Sequence, residues 1–173
     1  MLKITVKHNG VTVRFSVPKR RMSGPLMLAN YTQQDSFSCG FVAALTVARY
    51  LTTTVKPVEV LRAIDLDPDV GVDRQQMVRA LRTIGIKATY RDNLRVADLM
   101  RYAEGGVPVM VSVWPDEWRD DHWTVVQKVD INRGRVYLTN HYNMDVSDFK
   151  REWIDNWEEP GVTRGAGLVC AAL

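Results

Sequence analysis

The sequence lacks the features that identify membrane, secreted or nucleic-acid-binding proteins. No apolar run approaches the roughly 20 residues that cross a bilayer, and the first eight residues do not resemble a signal peptide. Two cysteines are too few for a disulfide framework. The formal net charge of +3 gives no argument for binding nucleic acid. We therefore expect a cytoplasmic protein in a reducing compartment, with no membrane span and no nucleic-acid partner.

Length and composition instead indicate an ordinary globular protein. The chain has 173 residues, of which 46% are hydrophobic and 25% are charged, so it can bury a sizeable core. We expect one domain over residues 1–173. Residues 2–7 and 11–17 alternate apolar and polar side chains around Asn9-Gly10, which is typical of a tight β-hairpin. We interpret residues 1–17 as an accessory N-terminal hairpin without chemistry of its own.

The stretch from residue 33 to residue 52 is the centre of the functional hypothesis. From Phe41 onward, apolar residues recur at helical spacing, which places Cys39 at or just before the first turn of a helix that buries one face. The positive end of a helix dipole favours a thiolate there, with Ser36 or Ser38 as the expected N-cap. We expect Gly40 to leave room for a substrate backbone. A lone cysteine in an apolar helix is more often a small buried hydrophobe, so the rest of the chain must decide.

Two polar residues in the second half could complete a catalytic group. His122 opens a strand directly after a loop, and Asn140 lies eighteen residues later, at the end of the next strand. A turn near residues 132–134 would bring the two side by side. The Asn140 amide oxygen could then accept the ring N–H and leave the other ring nitrogen toward Cys39. Gln33 could donate its side-chain amide to an oxyanion.

The loop before His122 suggests one wall of a substrate cleft. It carries two tryptophans and four carboxylates, Asp116, Glu117, Asp120 and Asp121. Such a wall would favour substrates with basic residues. We also expect the two aspartates next to His122 to raise the pKa of its ring.

Four motifs carry a resemblance to a known family: residues 33–40, which end in Cys39-Gly40, and residues 98–111, 122–126 and 148–153. Together they resemble papain-like cysteine peptidases of the double-glycine, bacteriocin-processing type and their stand-alone relatives. The resemblance implies an α+β papain-like fold, in which an N-terminal helical part carries the cysteine and an antiparallel sheet carries histidine and asparagine. It assigns Cys39 as nucleophile, His122 as base, Gln33 as oxyanion donor and Asn140 as third member. Relatives often have aspartate and proline where this chain has Asn140-His141.

The favoured function is hydrolysis of a peptide bond through a thioester, with a peptide or protein as substrate, a possible protein partner and no cofactor. One alternative is acyl transfer to an amine, as in transglutaminase-like proteins. Another is a non-catalytic binding module with a peptidase-like fold. A zinc site of Cys39, His122, His141 and Asp145 fits no closed site by its spacing, so no metal is expected. Cys170, in an apolar closing strand, is interpreted as structural.

Overall fold

A computed structural model describes residues 1–18, 24–52, 54–114, 121–155 and 165–173. The strands in these residues are β1 Leu2–His8, β2 Val11–Val17, β3 Thr32–Gln33, β4 Ile86–Arg91, β5 Val109–Val113, β6 His122–Asp130, β7 Arg135–Leu138, β8 Met144–Asp145 and β9 Gly167–Ala172. The α-helices are α1 Cys39–Leu51, α2 Pro57–Ile64, α3 Arg74–Thr83, α4 Val96–Glu104 and α5 Val146–Lys150. No helix in this described part is both long and apolar enough to cross a membrane.

The N-terminal hairpin forms a small antiparallel sheet with β3. Asn9 and Gly10 have φ of 45° and 83°, the positive values that a two-residue hairpin turn requires. Strand β2 pairs in turn with β3, so that Phe15 lies opposite Gln33. The Phe15 ring packs against the Phe41 ring of α1 at a centroid distance of 5.6 Å. The hairpin therefore contacts both the main core and the strand that carries Gln33.

The second sheet has six antiparallel strands in the order β4-β9-β5-β6-β7-β8. Strand β5 is buried along its whole length. Its alternate side chains belong to two different clusters, because Met110 packs with residues of α1 to α3 whereas Val109 and Val111 pack with residues of α4 and α5. Burial on both faces explains why this strand is almost entirely apolar.

Helix α1 packs against β6 and is buried from Gly40 to Ala48. The expected α+β fold is therefore confirmed, with the Cys39 helix packed on an antiparallel sheet. The expectation for Gly40 was wrong. A Cβ at this position would lie 3.0 Å from the Val72 Cβ and 3.2 Å from the Met77 Cε. The space left by the missing side chain is thus filled by Val72 and Met77, because α1 packs closely against α3 and the residues before it.

The chain near residue 150 differs from its sequence pattern. The pattern predicts one helix from residue 146 to residue 157. The structure has the short helix α5, then a π-helical turn at Arg151–Asp155, and residues 156–164 lie outside the described part. The change of helix type still buries Phe149 and Trp153, whose rings stack at 5.1 Å. The sequence pattern predicts neither of the short strands β3 and β8, because a strand of two residues shows no periodicity.

Candidate active site

A turn built by Asp35 delivers Cys39 to the start of α1. The Asp35 Oδ1 accepts hydrogen bonds from the backbone N–H of Ser38 at 2.9 Å and of Phe37 at 3.3 Å. Ser38 is the N-cap residue, yet its side chain makes no capping hydrogen bond. The expected serine cap is therefore absent, and the Asp35 side chain, three residues before Ser38, instead holds the turn that precedes the helix. Cys39 is the first residue of the helix and is half-buried.

His122 lies at the first position of β6, with 4% of its surface exposed. Its Nε2 lies 2.8 Å from the backbone carbonyl oxygen of Asn140. A carbonyl oxygen can only accept, so Nε2 must carry the hydrogen and donate it. In the neutral ring the lone pair then lies on Nδ1. The contact therefore fixes the tautomer in which Nδ1 can take up a proton.

Burial lowers the pKa of His122 to about 4. The hydrogen bond to Asn140 opposes this shift, and the neighbouring imidazole of His141, whose ring centroid is 5.2 Å away, adds to it. The direction is opposite to the one expected from Asp120 and Asp121. Asp121 accepts a hydrogen bond from the Ser112 hydroxyl at 3.1 Å, and residues 115–120 lie outside the described part. The His122 ring is therefore neutral at pH 7.

The Asn140 side chain contacts Gln33, whereas its backbone contacts His122. Its Oδ1 accepts the Gln33 backbone N–H at 2.9 Å, and its Nδ2 donates to the Gln33 Oε1 at 2.6 Å. The Gln33 Nε2 donates to the Asp35 carbonyl at 2.7 Å. From the sequence, we expected the Asn140 amide oxygen to accept the His122 ring N–H. The structure brings Gln33, Asn140 and His122 together, but the amide oxygen has a different partner.

Three further residues support this group in ways that the sequence patterns do not predict. Asp35 binds both the turn before Cys39 and the Gln33 amide; its only sequence signal is an aspartate within a serine-rich turn. Asn30 accepts the Asn140 backbone N–H at 2.7 Å across 110 positions of sequence, for which no local signal exists. His141 packs its ring against His122, whereas the sequence marked it as a departure from related motifs and as a candidate ligand of a zinc site that was not expected.

The second cysteine lies in a different environment. Cys170 is buried in β9 among apolar side chains, and burial raises its pKa to about 12. Its thiol donates to the Leu168 carbonyl at 3.4 Å. Asp145, considered above as a zinc ligand, instead forms an exposed ion pair with Arg135 at 2.8 Å. Within the described residues, no group of three or more His, Cys, Asp or Glu side chains is arranged to hold a metal ion.

Comparisons with known proteins identify the fold of this chain. No family model matches the sequence, and no curated protein matches it. The chain is similar in structure to the peptidase domain of Streptococcus ComA, a bifunctional ABC transporter involved in quorum sensing. The TM-score is 0.63 at 17% identity, over 82% of this chain and 96% of that one.

Two other solved structures are similar. A double-glycine-motif protease from an AMS/PCAT transporter, in complex with the leader peptide, matches with a TM-score of 0.57 at 17% identity, over 92% of this chain and 99% of that one. A C39-like peptidase from Bacillus anthracis matches with a TM-score of 0.56 at 14% identity, over 76% and 88%. The chain thus has the fold of the double-glycine peptidase domains, as its motifs predicted.

Proposed function

We propose that the protein is a cysteine peptidase that cleaves peptide bonds through a thioester. The observation that carries the proposal is the hydrogen-bonded connection from Gln33 through Asn140 to His122, next to the turn that begins the Cys39 helix. A nucleophile at a helix start, a neutral imidazole of fixed tautomer and an amide donor are the groups that acyl transfer requires. The shared fold with known peptidases supports this interpretation.

Each residue has a defined part in the reaction. His122 Nδ1 takes the Cys39 thiol proton while the sulfur attacks the peptide carbonyl carbon. The Gln33 amide and the Cys39 backbone N–H stabilise the oxyanion that forms. When the C–N bond breaks, His122 returns the proton to the leaving amine. Water, deprotonated by the same imidazole, then attacks the thioester and releases the acid and the free thiol. Asn140 holds the ring through its backbone carbonyl.

We propose a peptide or protein as substrate and no metal or other cofactor, since the thiol and imidazole supply all of this chemistry. A nucleophilic thiol must also stay reduced, which fits a reducing compartment such as the cytoplasm. The known relative that was solved with a leader peptide provides a starting probe. An internally quenched peptide with a central Gly-Gly, together with labelled casein as a general substrate, covers a specific and a broad activity.

The test compares the full chain with Cys39→Ala, His122→Ala and Cys170→Ala. We expect Cys39→Ala to abolish cleavage and His122→Ala to lower kcat about 10²- to 10⁴-fold, the usual contribution of a general base. Cys170→Ala should keep full activity, because its thiol lies in the core. Cleavage that survives in a folded Cys39→Ala protein would refute the proposal.

The same assay separates the two alternatives. Adding glycine ethyl ester and analysing products by mass spectrometry distinguishes a transferase, which forms a new amide in preference to the acid, from a hydrolase. A non-catalytic binding module would cleave neither probe, and its Cys39 would react with iodoacetamide no faster than an ordinary thiol.

A further inference from the structure

Asn140 is held at a backbone geometry that few residues tolerate. Its φ is 55°, in the left-handed region where asparagine, aspartate and glycine are favoured. Only 7% of its surface is exposed. Its backbone N–H donates to Asn30, and its backbone carbonyl accepts from His122. The Asn140 backbone alone therefore makes the contact with His122, so the side-chain amide of Asn140 must have a different role.

The side-chain amide has both ends committed to Gln33, and the orientation of each amide follows from backbone groups. The Gln33 backbone N–H can only donate, so the Asn140 atom facing it must be Oδ1. Nδ2 is then the atom that faces Gln33, and it requires an acceptor, Oε1. Gln33 Nε2 must consequently face Asp35, whose carbonyl oxygen accepts it. No other assignment of the two amides satisfies all three contacts.

We propose that Asn140 is a positioning residue for the Gln33 amide, and that its side chain serves the oxyanion side of the site rather than the histidine. This inference rests on the proposed function. The Gln33 amide nitrogen has two hydrogens, of which one is donated to the Asp35 carbonyl. Because Asn140 holds the Gln33 Oε1 and the Gln33 backbone N–H, the direction of the second hydrogen is fixed. This second hydrogen is the one that an oxyanion would receive.

The proposal gives a chemical reason for asparagine at this position. Aspartate tolerates the same backbone geometry and could still accept the Gln33 backbone N–H. It has no hydrogen to donate to the Gln33 Oε1, so two oxygens would meet at 2.6 Å. Rotating the Gln33 amide would relieve that contact and create the same conflict with the Asp35 carbonyl. An aspartate would therefore displace the amide whichever way it turns.

The test uses Asn140→Asp, Asn140→Gly, Gln33→Ala and the double variant Gln33→Ala/Asn140→Gly, with the quenched Gly-Gly peptide as substrate. Glycine keeps the carbonyl that binds His122 and accepts the positive φ without strain. Asn93→Gly is the matched control, because Asn93 is an exposed asparagine with nearly the same φ, 54°.

We expect Gln33→Ala to lower kcat about 10²- to 10³-fold, as for removal of an oxyanion donor. Asn140→Asp and Asn140→Gly should each lower kcat at least about 10-fold with little change in KM, and the double variant should be no slower than Gln33→Ala. Asn93→Gly should match the unmodified chain. Effects of Gln33→Ala and Asn140→Gly that multiply would overturn the inference, as would an Asn140→Asp protein of full activity.

A second readout isolates the histidine. Alkylation of Cys39 by iodoacetamide depends on the thiol and His122 but forms no oxyanion, so its pH profile should be the same in Asn140→Gly and the unmodified chain. A profile displaced by a pH unit would mean that the amide orients His122 after all.

Nitrogen-15 NMR tests the positioning without turnover. Gln33→Ala identifies the Gln33 side-chain signals, which Asn140→Gly should shift and Asn93→Gly should not. Unmoved signals would refute the inference. If the unmodified chain cleaves neither probe and these signals still respond, the proposed function fails while the positioning role of Asn140 stands.

Discussion

The two cysteines should differ in reactivity by a factor that follows from their environments. At pH 7, a thiol with the ordinary pKa of about 8.5 is roughly 3% thiolate. Burial raises the pKa of Cys170 to about 12, which leaves a thiolate fraction on the order of 10⁻⁵. The thiolate fraction of an ordinary thiol is therefore roughly three-thousand-fold higher than that of Cys170. Cys39, half-buried at the start of α1, should react at least that much faster.

The assay is a time course of iodoacetamide alkylation on the native chain, followed by digestion and mass spectrometry of the two cysteine peptides. Cys39→Ala and Cys170→Ala assign the signals. In concentrated guanidinium chloride both cysteines should react at similar rates, because the difference arises from the folded environment. Adding His122→Ala to the Cys170→Ala chain should slow the native reaction. Similar slow rates for both native cysteines would refute the reasoning and favour a non-catalytic module.

Three further predictions concern stability. Gly40→Ala should lower the free energy of unfolding in urea by about 1 kcal/mol, because crowding against Val72 and Met77 at 3.0–3.2 Å outweighs the gain in helix propensity. An increase in the free energy of unfolding would mean that Val72 and Met77 move aside easily. Trp123→Phe should cost about 1–3 kcal/mol, since the buried Val72 carbonyl loses the indole N–H that donates to it at 2.9 Å; a neutral result in the same titration would show that the carbonyl finds another donor. The pKa of His122 is about 4 in the folded chain and 6.5 in the unfolded chain, so protonation of this ring favours unfolding. The contribution of His122 to the free energy of unfolding should therefore be full above pH 6.5 and fall by up to about 3 kcal/mol toward pH 4. His122→Gln should remove that part of the pH dependence in thermal unfolding, and an unchanged slope would contradict it.

The sequence by itself determined the elements whose signals are local. Asn9-Gly10 between alternating residues specified the hairpin, because few residues other than these adopt two successive positive φ angles. The apolar spacing after Cys39 predicted a buried helix with Cys39 at or just before its first turn, and the helix begins at Cys39. The nearly all-apolar run of residues 107–113 predicted a buried strand, which the structure has at Val109–Val113. In each case the pattern and its cause lie within a few residues of one another.

Only the tertiary structure decided how the polar residues of the site are connected. Nothing near Asn140 in sequence indicates that its amide binds Gln33, because the partners are 107 positions apart and their direction depends on a positive φ at residue 140. The sequence suggested that Gly40 leaves space for a substrate, but in the folded chain Val72 and Met77 pack against this position. The pKa of His122 likewise follows from burial, which depends on every element packed around the ring rather than on the carboxylates that precede it in the chain.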